Sequence, residues 1–176
     1  MKSLSEIDTV SKRASRAIGF SWGISEEVGK NMRMLEIFGL PGLKNLNDYY
    51  KSKKNEKFEN LKIISNKNKF NDIKFCPIIA GISFLDQIKT LEILGEVILE
   101  KIAYPILFLP FVSRASEIIG KRILLKFDDK EFLLNLNNNI YSNFFKNDIL
   151  KLADDISIKF IENSDSFLER EWNEVY

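Results

Sequence analysis

Apolar residues recur at three- and four-residue intervals near the start of the chain, at Leu4, Ile7, Val10, Ala14, Ala17 and Ile18. This spacing places them on one face of an α-helix. Ser3 and Glu6 match a capping box, in which a hydroxyl and a carboxylate bind free backbone N–H groups at a helix start. Gly19 suits the left-handed conformation that follows many helix ends, so the pattern predicts a first helix that stops before it.

A second run with helical spacing covers residues 24–38, with inward positions at Ile24, Val28, Met32, Leu35 and Phe38. Gly39 favours a helix end after this run, and Pro41 prevents its continuation. A short third helix is predicted by the same spacing of large residues at Leu43, Leu46, Tyr49 and Tyr50. The start of the chain therefore reads as helical throughout.

Beyond residue 96 the pattern changes to short runs rich in Ile, Val, Leu and Phe. Residues 97–102 and 104–111 predict two buried strands, because such runs are typical of a sheet interior. Residues 113–119 have helical character, and Gly120 favours an end to that helix. Helices and strands are thus mixed in this part of the chain.

The last third of the chain predicts a hairpin, a helix and a strand. Apolar runs at 121–127 and 131–136 flank the Asp-Asp-Lys sequence at 128–130, a pattern that favours a β-hairpin. Residues 140–152 predict a helix. Residues 156–160 alternate apolar and polar positions, which is typical of a half-buried strand.

These elements predict an α+β fold in which a helical unit of two or three helices precedes a small mixed β-sheet with packed helices. A length of 176 residues suits one domain. We expect residues 1–50 to form the helical unit and residues 73–162 the α+β unit. The acidic tail, residues 163–176, carries Phe167, Leu168 and Trp172 and predicts a last helix that docks on a neighbouring element or on a partner.

Composition limits the classes of partner that the protein could bind and the cellular compartment that it fits. The net charge of +1 provides no field that would attract nucleic acid or an anionic membrane surface. The longest apolar run, residues 102–112, is too short to span a membrane, and the first ten residues lack the apolar stretch of a signal peptide. The single cysteine, Cys76, lies in an apolar run and predicts a buried thiol, which fits a reducing cytoplasm. Abundant Lys, Asn and Ile indicate an AT-rich genome.

The chain contains no histidine, and this excludes several chemistries. Ser-His-Asp and Cys-His mechanisms are ruled out, and the commonest ligand of zinc, iron and copper is missing. The Gly-Phe-Ser-Trp-Gly sequence at 19–23 matches neither a dinucleotide fingerprint nor a phosphate loop. We expect no metal and no cofactor. Any chemistry must use carboxylates, Lys, Arg, Tyr, Ser, Thr or Cys76, or a hard metal bound by carboxylates.

Polar groups that could bind a ligand are concentrated around the first interhelical turn. Arg13 and Arg16 share a helix face, where two guanidinium groups could clamp a carboxylate or phosphate. They could equally form an ordinary solvated face. Trp22 at the turn could form a binding platform or pack structurally.

Glu26 and Glu27 fall in the predicted first turn of the second helix. Acidic residues there stabilise the positive end of the helix dipole. Alternatively, one of them meets Arg13 or Arg16 across the turn and helps to orient a small polar ligand. A carboxylate held by arginine stays ionised, which suits orientation better than proton donation.

Two further positions follow the predicted buried runs. Asp86 could cap the next helix or act as an acid or base at a strand end. Ser113 could cap a helix whose N-terminus binds an anion, with Arg114 adding positive charge.

Residues 4–43 resemble the N-terminal region of an uncharacterised bacterial family, one of the domain-of-unknown-function families. Its members combine an S-L-x-E-I start, a basic Ala-rich helix, a W-G-[LI]-x-E-E-x-G core and a G-L-P-G turn. The corresponding sequences here lie at residues 3–7, 14–17, 22–29 and 39–42. Residues 105–120 are similar more loosely. Because the family has no established activity, the resemblance implies no reaction and no catalytic residue.

Two functions remain open on this reading. The leading hypothesis is a cytoplasmic accessory or small-ligand-binding component of a metabolic pathway that binds a small anionic metabolite and forms a homodimer. Its ligand-binding residues would be Arg13, Arg16, Trp22, Ser113 and Arg114. The alternative is a metal-independent enzyme acting on a small carboxylate-bearing metabolite, with arginine anchoring and a proton transferred by Glu26, Glu27 or Asp86. An enzyme should bring Arg13 or Arg16, one of the two glutamates, and Asp86 or Arg114 to a common concave pocket.

Overall fold

The computed structural model describes residues 2–68, 72–134, 140–144 and 147–162, and the backbone of 173–175. The three predicted N-terminal helices are present as α1 (Leu4–Ala17), α2 (Trp22–Ile37) and α3 (Gly42–Ser52). The capping box is confirmed, because the Glu6 amide donates to Ser3 Oγ at 3.2 Å and the Ser3 amide donates to Glu6 Oε2 at 2.8 Å. Gly19 follows α1 with φ +105°, a conformation that favours glycine.

The start of α2 differs from the prediction by two residues. Ser21 is the N-cap, and its Oγ accepts a hydrogen bond from the Ile24 amide at 3.3 Å. Trp22 is therefore the first helical residue. The predicted place of Glu26 and Glu27 in the first turn is wrong, because the serine cap starts the helix earlier than the apolar spacing indicated.

Helices α1 and α2 pack closely at Gly29. A Cβ atom built on this glycine would overlap Asp8 Oδ1 and would lie 3.0 Å from Lys12 Cγ. The absence of a side chain therefore lets the two helix backbones approach, and Ile7 and Val28 are buried on the same helices.

Strands among the described residues form one mixed sheet. They are β1 (Lys67–Asn68), β2 (Glu96–Ala103), β3 (Arg122–Phe127), β4 (Lys130–Leu134), β5 (Ile140–Ser142), β6 (Leu152–Ile161) and β7 (Asn173–Val175). Their order across the sheet is β1-β2-β6-β3-β4-β5-β7. The β1–β2 pair is parallel and the others are antiparallel, so the predicted α+β fold with a mixed sheet is confirmed.

The predicted hairpin is also confirmed. Phe127 of β3 pairs with Lys130 of β4, which leaves Asp128 and Asp129 as a two-residue turn. Asp128 has φ +54°, the left-handed conformation that such turns require. Its Oδ1 accepts from the Asp155 amide at 3.0 Å, so the turn is also attached to β6.

Helices α4 (Pro77–Asp86), α5 (Ile88–Leu91) and α6 (Leu109–Ile119) complete the described part of the fold. Helix α6 contacts α2, α4, β3 and β4. The buried apolar side chains of the N-terminal helices and of the sheet belong to one contiguous cluster, which includes Phe38, Tyr49, Phe111 and Ile158. Helix α6 therefore connects the helical part to the sheet.

The strand predicted at 104–111 is wrong. A 3₁₀ turn, Pro105–Leu107, and the start of α6 lie there instead. Every residue from Tyr104 to Val112 is buried, so no solvent-facing position reveals the helical period. Pro105 and Pro110 stand at the first positions of helical turns, where proline is tolerated.

The helix predicted at 140–152 is also wrong. Residues 140–142 form β5, and β6 begins at Leu152. Ser142 Oγ donates to the Glu131 carbonyl at 2.9 Å, which fixes β5 against β4 in addition to the backbone ladder. In the tail, residues 163–172 lie outside the described residues, and 173–175 form β7 against β5 instead of continuing the predicted helix.

Cys76 is buried, as predicted, and precedes α4 as its N-cap. Its Sγ accepts a long hydrogen bond from the Ile79 amide at 3.5 Å. The thiol therefore has a local structural role. None of the helices within the described ranges is long and apolar enough to cross a membrane.

Candidate functional site

A groove of about 540 Å³ lies between α1 and the start of α2. Thr9, Lys12, Arg13 and Arg16 line it from α1, at spacings that place them on one helix face, and Trp22 lines it from α2. This volume falls within the range of small-molecule sites, roughly 300–1,000 Å³. The structure thus brings together Arg13, Arg16 and Trp22, three of the residues singled out from the sequence.

The Trp22 side chain lies at the surface of this groove. Trp22 is 64% exposed, so the interpretation that it packs structurally at the turn is wrong. The reversal of chain direction at Gly19 and the cap at Ser21 bring this first residue of α2 beside the last turns of α1. An exposed indole next to basic groups gives the groove an apolar wall as well as positive charge.

The two arginines have hydrogen-bond donors available to a ligand. Arg16 Nη1 donates to the Phe20 carbonyl at 2.9 Å, which orients its guanidinium group. Within the described part of the chain, no carboxylate lies within 4.0 Å of the Arg13 or Arg16 guanidinium nitrogens. The predicted pairing of either arginine with Glu26 or Glu27 is therefore wrong.

The carboxylate of Glu27 instead meets Arg114 of α6. Arg114 Nη1 donates to Glu27 Oε2 and also lies 3.4 Å from Asn31 Oδ1. Lys30 Nζ is 3.2 Å from Glu27 Oε1. Desolvation by partial burial raises the pKa of Glu27, but hydrogen bonding and charge from Arg114 and Lys30 outweigh it, so the pKa lies below its ordinary value.

The Glu27–Arg114 ion pair connects α2 to α6, which gives both residues a structural role. Their side chains are 27% and 23% exposed, so the pair is partly shielded from water. Each charge has its partner, and the pair lies apart from the groove lining. The half-buried Glu26 forms neither an ion pair nor a side-chain hydrogen bond with any described residue.

Asp86 and Ser113 lie in places that the sequence did not indicate. Asp86 is the exposed last residue of α4, because the apolar run before it is a helix and not a strand. Ser113 is inside α6 and 1% exposed, so the predicted helix start at this position is wrong. None of Glu26, Glu27, Asp86, Ser113 and Arg114 lines the groove. The common pocket expected of an enzyme is therefore not formed there.

Sequence reasoning missed a second cavity, which includes Asp48 and Tyr104. Tyr104 Oη donates to Asp48 Oδ2 at 2.6 Å across 56 positions of sequence. No periodic pattern relates positions so far apart, and Tyr104 belonged to a segment predicted to be a strand. The available signals were a polar Asp48 among the aromatic residues of α3 and a tyrosine immediately before Pro105.

Comparison with known proteins then gives one relationship. Residues 2–72 match the model of a family described as a protein of unknown function, DUF3726. The match includes α1, α2 and α3, and it confirms the resemblance of the N-terminal segment to an uncharacterised family. No curated protein and no solved structure matches the chain.

The matched segment, residues 2–72, contains every residue that lines the groove between α1 and the start of α2. It also contains Glu27 and Asp48, whereas their partners Arg114 and Tyr104 lie outside it. Gly29, within the motif that carries the resemblance, permits helix packing, and Glu27 attaches α2 to α6. Glu27 and Gly29 of this motif therefore have structural roles, whereas Trp22 is exposed.

Proposed function

We propose that the protein binds a small organic anion in the groove between α1 and the start of α2, as an accessory or ligand-binding component of a metabolic pathway. One observation carries the proposal: Trp22, 64% exposed, stands beside two arginines that have no carboxylate partner among the described residues. Lys12 adds a third positive charge, although Asp8 lies 3.3 Å from it.

The chemistry of the groove favours an anion with a planar or apolar part. A guanidinium group donates two parallel hydrogen bonds to a carboxylate or phosphate, and the Trp22 ring offers a flat apolar surface. Two contacts to charged groups contribute about 1.5–3 kcal/mol each. Together these contacts, at about 3–6 kcal/mol, correspond to dissociation constants between roughly 6 mM and 40 µM.

The proposal includes a cytoplasmic location and a homodimer. A single cysteine that is buried and unpaired fits a reducing compartment. Self-association is supported by exposed large apolar side chains, including Ile63 and Ile93 at 82% each and Ile118 at 53%. The alternative enzyme lacks comparable support, because Glu26, Glu27 and Asp86 do not line the groove.

Tryptophan fluorescence tests the groove directly. The chain has two tryptophans, Trp22 and Trp172, so Trp172→Phe leaves Trp22 as the reporter. Titration with benzoate, phenyl phosphate, citrate and inorganic phosphate should give a saturable change in Trp22 emission with at least one of them. Benzoate and phenyl phosphate should bind more tightly than inorganic phosphate, because their rings can contact the Trp22 indole.

The controls separate specific binding from general charge effects. Arg13→Ala with Arg16→Ala should weaken binding by at least about tenfold, the loss of roughly 1.4 kcal/mol. Lys89→Gln, which removes an exposed charge on α5, should leave the affinity unchanged. Equal affinity in the double arginine variant, or no saturable change with any of the four anions up to about 10 mM, would refute the proposal.

A further inference from the structure

A second cavity of about 280 Å³ lies where α3, the segment after it, the end of β2 and the start of β6 meet. Asp48 and Lys51 line it from the family-matched segment, and Tyr104 and Lys151 line it from the rest of the chain. The volume is close to the lower limit of ligand pockets, roughly 300 Å³, so only a compact molecule would fit.

Tyr104 forms the inner wall of this cavity in an unusual backbone conformation. Its φ of +46° and ψ of +62° are left-handed, which is rare for a bulky residue, and Lys101 nearby has φ +55°. The Tyr104 amide donates to the Lys151 carbonyl at 3.0 Å, and its ring lies 5.4 Å from that of Tyr49. Surrounding contacts therefore hold the strained residue in place, a condition that is common at functional sites.

The hydroxyl of Tyr104 is directed at Asp48. Tyr104 is 4% exposed, and its Oη donates to Asp48 Oδ2 at 2.6 Å. Burial, with the neighbouring Asp48 carboxylate, raises the pKa of Tyr104 to about 12, so the phenol stays protonated and remains a donor. Asp48 Oδ1 accepts no hydrogen bond from any described residue and is available to a ligand donor.

Positive charge surrounds this acceptor. Lys74 is neutralised by Glu56 at 3.2 Å. Lys51 and Lys151 have no carboxylate within 4.0 Å in the described ranges of the chain. Beside the Glu56–Lys74 pair, the cavity therefore combines one carboxylate without a lysine partner, that of Asp48, with two available ammonium groups. Neither a simple anion nor a simple cation would satisfy this mixed arrangement.

We propose that this cavity is a second binding site, which takes a compact hydroxylated anion: Asp48 accepts from a hydroxyl group of the ligand, and Lys51 and Lys151 hold its carboxylate or phosphate. Phe58 and Leu152 add apolar surface to the cavity lining. A ligand here touches α3 on one side and β2 and β6 on the other, so it stabilises the docking of the family-matched segment on the sheet.

Calorimetric titration with glycerate and glycerol 3-phosphate tests the chemistry, with glycerol and inorganic phosphate as partial ligands. We expect at least one of the two complete probes to bind at least about tenfold more tightly than either partial ligand, because only they engage both halves of the site. If inorganic phosphate binds as tightly as glycerol 3-phosphate and glycerate does not bind, the role given to Asp48 is wrong.

Variants distinguish a binding site from a purely structural hydrogen bond. Lys51→Gln with Lys151→Gln should weaken probe binding by at least about tenfold and leave the melting temperature of the free protein unchanged, since both side chains are exposed. Asp48→Asn should also weaken binding, whereas Lys89→Gln should not. Unchanged affinity in the double lysine variant, or no heat with either complete probe up to about 10 mM, would overturn the proposal. Arg13→Ala with Arg16→Ala should not alter this binding, so the two sites succeed or fail separately.

Discussion

The substitution Gly29→Ala sets two opposing effects against each other at the contact between α1 and α2. Alanine favours a helix over glycine by about 0.8–1.0 kcal/mol. The new methyl group, however, would overlap Asp8 Oδ1 and would lie 3.0 Å from Lys12 Cγ and 3.1 Å from the Asp8 carbonyl oxygen. Turning the Asp8 side chain relieves the overlap at Oδ1, but the tight contact with the Asp8 carbonyl oxygen requires the two helix backbones to separate slightly.

Overpacking of this kind costs about 1–3 kcal/mol. Movement of Asp8 also weakens its ion pairs with Lys12 and Arg33, each worth about 0–1 kcal/mol at this level of exposure. After the helix gain is subtracted, these effects leave a net destabilisation of about 0–4 kcal/mol, with a central value of about 2 kcal/mol. For a chain of this size the central value lowers Tm by roughly 4–8 °C.

The matched control is Gly23→Ala in the same helix. A Cβ on Gly23 meets no atom within 4 Å, so this variant should be neutral or more stable by up to about 1 kcal/mol. Urea unfolding followed by circular dichroism would give both values. If Gly29→Ala proved as stable as Gly23→Ala, the close approach of the two helices at Gly29 would be refuted.

Two other predictions concern the α2–α6 contact and self-association. Because the pKa of Glu27 is lowered in the folded protein, its stabilising effect is present above its unfolded pKa and is lost as pH falls through the folded value. The destabilisation by Glu27→Gln, about 1–3 kcal/mol near neutral pH, should therefore shrink below roughly pH 4 in urea unfolding, and a difference independent of pH would contradict this. Light scattering should report a mass of twice 20.4 kDa for the homodimer. A mass of 20.4 kDa at every concentration would exclude it.

The elements that sequence predicted well are those with one face in water. Helices α1 to α3 alternate buried and exposed positions, so their period is visible, and the β3–β4 hairpin carries an Asp-Asp turn between alternating strands. The strand prediction at 104–111 was wrong because all of these residues are buried, so no polar face reveals the helical period. The helix prediction at 140–152 was wrong because β5 is held by its pairing with β4, including the Ser142 Oγ bond to the Glu131 carbonyl. Such tertiary contacts leave no periodic pattern in the sequence.

The same distinction applies to the sites. Arg13 and Arg16 could be associated from helical spacing alone, and Trp22 from its place after the turn. Glu27 and Arg114 are 87 positions apart, so no sequence spacing favours Arg114 over the nearer arginines as the partner of Glu27. Tyr104 follows β2 in a left-handed conformation and meets Asp48 across 56 positions, a contact that no sequence spacing indicates.

The strand β1 has a consequence for the segment that matches the family model. It lies at the end of the family-matched segment and pairs with β2, and Asn68 Nδ2 also donates to the Ile98 carbonyl at 3.1 Å. The shared segment thus ends as the border strand of a sheet built by the unmatched residues. The segment is therefore not self-contained in this chain: it needs β2 as the pairing partner of β1 and Arg114 as the ion-pair partner of Glu27.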